Sequence, residues 1–115
     1  MSTHCMIHFV EAGEKIASIY RHSDGYPEPN GVLKDLETFF QDVLQQAAND
    51  TRFDDASYLA AKFVVWQAKR YRRGDGELHF LGVGIMSNGP RCEYEYLILC
   101  DRSGKKPAVT WKESG

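Results

Sequence analysis

Long apolar runs are missing from this sequence. None approaches the roughly 18 consecutive apolar residues that a bilayer-crossing helix needs, which excludes a helical membrane span. The opening residues, Met1-Ser2-Thr3-His4-Cys5, carry no basic stretch followed by an apolar one, so neither a signal peptide nor an anchor is expected. Charge of one sign is also missing. Fourteen Lys and Arg stand against sixteen Asp and Glu, for a net charge of −2. A balance of this kind gives no global attraction to nucleic acid or to acidic membranes. Cysteine is scarce and odd in number, with Cys5, Cys92 and Cys100 and no Cys-x-x-Cys pair. Without a secretion signal that pattern reads as reduced thiols in a cytoplasmic protein rather than a disulfide framework. Repeats and low-complexity segments are absent.

What is present suits a single domain over residues 1–115, 43% hydrophobic and 12% aromatic. A chain of this length buries about two-thirds of the surface that it exposes when unfolded, enough for a core without staples. Residues 5–10 and 15–20 read as strands joined by Glu11-Ala12-Gly13-Glu14, a β-hairpin. Ile16, Ser18 and Tyr20 would share one face of the second strand, with Ala17 and Ile19 on the other. Residues 21–31 are rich in turn formers, above all Asp24-Gly25 and the stiffening Pro27 and Pro29. Val32, Leu36, Phe39, Phe40, Val43 and Leu44 recur at intervals of three and four, which predicts a helix over 32–48 with Asn30 as its N-cap. A second helix begins at Asp54 or Asp55, buries Leu59 and Phe63, and ends in the cluster Lys69-Arg70-Tyr71-Arg72-Arg73. Strands follow over 78–86, 91–100 and 105–111, separated by Gly-bearing turns. The order ββααβββ predicts an α+β domain, with a mainly antiparallel five-stranded sheet and two helices packed on one face.

The stretch Tyr20-Arg21-His22-Ser23-Asp24-Gly25-Tyr26-Pro27, followed by Gly31-Val32-Leu33 and by Phe39-Phe40, resembles an uncharacterised family of small bacterial and phage proteins. Those proteins carry Tyr-Arg-His-aromatic-Asp-Gly-Tyr-Pro ahead of a glycine-started helix and end in a Tyr-rich strand, which Tyr94 and Tyr96 match. Ser23 stands where the family has a large aromatic, Pro29-Asn30 reads as an insertion, and Leu33 replaces a second glycine. The resemblance implies a prophage or mobile-element background. It brings no activity, cofactor or catalytic residue with it.

Five kinds of chemistry were weighed on the residues themselves. An anion site would use Arg21, His22, Asp24, Tyr26 and Gly31, where a cation approaches a helix N-terminus. A structural turn, with Arg21 paired to a nearby carboxylate, explains the same residues. A metal site fails on spacing, because His4 and His8 on one strand lie about 13 Å apart. No metal and no cofactor is therefore expected. Nucleophilic catalysis has no supporting context around any cysteine, so no catalytic residue is named and the chain reads as non-enzymatic. Nucleic acid could be held by Lys69, Arg70, Arg72 and Arg73, although cations in a last helical turn are explained by the helix dipole. A homodimer through the sheet would follow if residues 93–99 formed an edge, or if Phe80, Tyr94, Tyr96 and Trp111 shared the bare face. The expectation is a protein- or anion-binding accessory factor, with a nucleic-acid module as the alternative.

Overall fold

The computed structural model describes residues 3–22, 25–27, 31–46, 53–70, 83–85, 92–101 and 106–113. Asn30, Phe80, Asp24, Arg72 and Arg73 lie outside these residues. β1 (Cys5–Glu11) and β2 (Glu14–Arg21) form the expected hairpin. Its turn residues, Ala12 at φ 53° and Gly13 at φ 79°, are both left-handed, as a type I′ turn requires. Helices α1 (Val32–Gln46) and α2 (Ala56–Arg70) come next, then β3 (Val83–Ile85), β4 (Tyr94–Cys100) and β5 (Ala108–Glu113). The N-terminus of α2 is capped twice. Asp55 Oδ1 accepts from the Tyr58 N–H at 3.0 Å, and Glu11 Oε1 accepts from the Ala56 N–H at 2.9 Å.

The sheet order is β3-β2-β1-β4-β5, and every neighbouring pair is antiparallel except β1 with β4. The domain is thus α+β with a five-stranded sheet, mostly antiparallel, and one parallel pair that the sequence did not announce. The physical reason lies in β1. Cys5, Met6, Ile7, His8 and Phe9 are all buried, so both faces of this strand are covered and it belongs at the centre. β4 consequently sits between β1 and β5 rather than at an edge, which overturns residues 93–99 as a dimerisation edge.

Cys5, Ile7, Phe9, Ile19, Tyr96 and Ile98 face the helices and join Leu36, Phe39, Phe40, Leu59 and Phe63 in one core. Phe63 packs its ring 5.1 Å from Phe39 and 6.2 Å from Phe9, centroid to centroid, knitting both helices to β1. Register then puts Tyr94 and Trp111, which pack edge to face, on the same side as Tyr96. The side of the sheet away from the helices is instead lined by Met6, His8, Ser18, Tyr20, Glu95 and Leu97. The aromatic bare face expected from Tyr94, Tyr96 and Trp111 is therefore not formed.

Candidate functional site

Alternation along β2 sends Tyr20 to one side of the sheet and Arg21 to the other. Arg21 is fully buried and does not face solvent as a ligand cation would. Its Nη1 donates to Asp35 Oδ2 at 2.7 Å and to Gln67 Oε1 at 3.3 Å. Asp35 lies in the first turn of α1 and is itself 2% exposed. Its second oxygen, Oδ1, is 3.4 Å from Arg70 Nε at the end of α2. One carboxylate thereby ties the sheet to both helices. Removing Asp35 would leave the buried Arg21 guanidinium without its carboxylate, whereas Asp35 without Arg21 would keep Arg70.

The glycines of the turn are also explained by packing. A Cβ at Gly25 would come 2.8 Å from Cys5 Cβ and 2.9 Å from the Thr3 carbonyl oxygen. The Gly25 N–H donates to that same oxygen at 2.9 Å, and Tyr96 Oη donates to the Gly25 carbonyl at 2.6 Å. A Cβ at Gly31 would run into the Tyr26 carbonyl oxygen, and its ring would lie close by. The space beside the start of α1 is thus filled by Tyr26 of the chain itself.

His22 is the one member of the proposed anion set that is exposed among the described residues. The Tyr20 hydroxyl lies 2.8 Å from His22 Nδ1 and 3.1 Å from His4 Nδ1. His4 Nδ1 is 2.8 Å from the His22 carbonyl, which can only accept, so His4 carries a proton on that nitrogen. The His4 backbone N–H donates to Glu93 Oε2 at 2.8 Å, and this bond holds the Glu93 carboxyl below its usual range. Among the described residues, no three or more His, Cys, Asp or Glu side chains are placed to hold a metal ion.

A second polar row crosses the centre of the same sheet face. His8 Nδ1 lies 2.7 Å from Ser18 Oγ, and His8 Nε2 lies 3.1 Å from Glu95 Oε1. Lys112 Nζ closes the row at 3.4 Å from Glu95 Oε2. Burial pushes the His8 pKa down despite the Glu95 hydrogen bond, and that same bond pulls the Glu95 pKa down. The neutral ring then donates from Nε2–H to Glu95 and accepts the Ser18 hydroxyl at Nδ1. Serine, imidazole and carboxylate stand in the order of a hydrolytic triad. Ser18, however, is only 7% exposed and offers no surface to a substrate, so the row satisfies buried polar groups instead.

The cysteines are unreactive by environment. Burial pushes Cys5 up to about 12 and Cys100 up to about 11, and it raises Cys92 as well. All three thiols are free.

A groove of about 420 Å³ runs along the outer side of the helical layer. On α1 it is lined by Asp42 with the buried Phe39 and Val43; its accessible apolar surface is Ala61, Val65 and Trp66 of α2. Lys62 and Lys69 stand on its rim. Trp66 Nε1 donates to Asp42 Oδ2 at 2.7 Å, which braces the walls against each other. Of the basic cluster, Lys69 and Arg70 are both exposed, and Arg70 also stacks 5.2 Å over the Trp66 ring and contacts Asp35. Comparison with protein-family models, curated proteins and solved structures returns no match.

The Arg21–Asp35 ion pair is the structural-turn reading, in which Arg21 pairs with a nearby carboxylate, whereas the anion-site reading needed Arg21 on the solvent side. The signal was there, since Ala17, Ile19 and Arg21 share one face at a spacing of two. The His8–Ser18–Glu95 row joins residues far apart in sequence, and only register brings them together. The groove was hidden because Phe39, Val43 and Trp66 read as core-stripe positions, while Ala61 and Val65 are scattered apolar residues on the other side of α2.

Proposed function

We propose that this chain is a non-enzymatic protein-binding module of the cytoplasm, an accessory factor of prophage type, and that it contacts its partner through the α1–α2 groove. The observation that carries this reading is the outward side of α2. Leu59, Ala60 and Phe63 fill the core from its inner side, yet Ala61 and Val65 point outward, with Val65 54% exposed beside Trp66. A helix apolar on both sides is shaped for a second covering layer. The free thiols support a reducing compartment, and the Tyr20–Pro27 resemblance supports the prophage background. The anion alternative loses its main cation, because Arg21 is committed to Asp35. The nucleic-acid alternative keeps Arg70 at the surface, but that side chain is partly engaged by Asp35 and the Trp66 ring.

The test is copurification from the natural host with tagged wild type, Val65→Asp and His22→Ala. Val65→Asp alters an exposed position and leaves the core intact. A stoichiometric partner retained by wild type and His22→Ala but lost by Val65→Asp supports the groove. Retention by Val65→Asp with loss in His22→Ala overturns it.

A further inference from the structure

We infer that the occupant of the α1–α2 groove is an acidic amphipathic helix of a partner protein, about three turns long; the inference rests on the protein-binding reading and names its partner class. Length comes first. On α2 the groove is lined by Tyr58, Ala61, Lys62, Val65, Trp66 and Lys69, a stripe spaced at intervals of three and four. That span covers about 16 Å along the helix axis, which matches three turns of a helix laid beside it. An extended peptide would instead need an open sheet edge for its main-chain hydrogen bonds, and a groove between two helices has none to offer.

Charge comes second. Lys62 and Lys69 are seven residues apart, so they stand on the same edge about 10 Å from each other. Lys62 Nζ lies 5.0 Å over the Tyr58 ring, which holds its stem along the wall with the ammonium at the rim. The carboxylate of the opposite wall, Asp42, already accepts the Trp66 N–H. Two rim cations on one edge favour a helix whose apolar stripe is flanked by Asp or Glu, at a spacing of seven, on the matching side. A second copy of this chain does not supply such a helix: the apolar stripe of α1 is buried through Leu36, Phe39, Phe40 and Val43, and the outward side of α2 is flanked by Lys62 and Lys69, cations that would meet the same two cations.

The test uses the full chain carrying Trp111→Phe, so that Trp66 alone reports. Two synthetic three-turn helices share one apolar stripe and differ only in having glutamate or lysine flanks. Binding is read from the shift in Trp66 fluorescence. The glutamate peptide is expected to bind about tenfold more tightly than the lysine peptide, with the preference reversed in Lys62→Glu/Lys69→Glu. Lys69 is exposed and Lys62 is half-buried, and an unchanged circular-dichroism melt of the double variant checks that it folds. Equal binding of both peptides overturns the acidic class and leaves the protein-binding groove standing. No binding of either peptide, with a copurified partner still lost in Val65→Asp, overturns the helical partner alone. Failure of both experiments overturns the groove itself. A dimer in sedimentation that Val65→Asp dissolves assigns the groove to a second copy and overturns the inference.

Discussion

Asp35 touches two guanidinium groups from a position that is 2% exposed, and this makes it the residue on which the helical layer is hung. Replacing it by alanine strands the buried Arg21. The expected loss is about 3–5 kcal/mol, read as a lowered denaturant midpoint. Arg21→Met combined with Asp35→Leu removes both charges at similar volume, and most of that loss is expected to return. If the double variant is as unstable as Asp35→Ala, stranded charge is not the cause. Ala12 supplies a prediction of opposite sign. It adopts φ 53°, a region that crowds Cβ against the following carbonyl. Asparagine tolerates that conformation better, so Ala12→Asn is expected to stabilise by about 0.5–1 kcal/mol and raise Tm by roughly 2–4 °C. Arg21 also shows what sequence can and cannot carry. Its inward direction follows from counting twos along β2, whereas the identity of its partner depends on how α1 is rotated above the sheet, which no local pattern specifies.

At the level of elements, β1 and β2 hold a pH-sensitive seam. His8 has a folded pKa below its ordinary value near 6.5, so the unfolded chain takes up a proton more readily than the folded one. Its contribution is fully present above about pH 6.5 and is lost as pH falls below that value. Glu95, also lowered, adds a loss that begins only near the ordinary glutamate range of about 4.3. Melting curves between about pH 7.5 and about pH 5.5 should therefore show a fall in Tm for wild type that is absent in His8→Asn. An unchanged slope in the variant would place the sensitivity elsewhere. The start of α1 provides a separate check. Gly31→Ala forces a Cβ against the Tyr26 backbone and is expected to destabilise by about 1–3 kcal/mol, read as a lower Tm. The hairpin, both helices and the strand over 91–100 stand where periodicity and turn residues put them; of the strand expected over 78–86 only 83–85 lie among the described residues, and the last strand runs over 108–113 rather than 105–111. The parallel β1–β4 pairing was not. Successive strands were read as hairpins, and the contrary sign, a first strand apolar on both faces, is weak in a run of only seven residues.

The whole molecule is two layers with unequal outer sides. The side of the sheet away from the helices holds the polar row, with Met6, His8 and Ser18 buried and Leu99 exposed. The strands leave Ile16, Ile85, Leu99 and Trp111 exposed, and the helical layer leaves Leu44 and Val65 exposed beside a braced groove between its helices. The segment Tyr20–Pro27, for all its distinctive composition, anchors the first layer to the second through Arg21, Gly25 and Tyr26. The proposed partner contact therefore lies on the helices and not on that turn. A photo-crosslinking side chain placed at position 65 or at position 22 in living cells separates the two assignments most directly. A discrete adduct with a second protein from position 65, and none from position 22, is the predicted result. Adducts from position 22 with none from position 65 would contradict it.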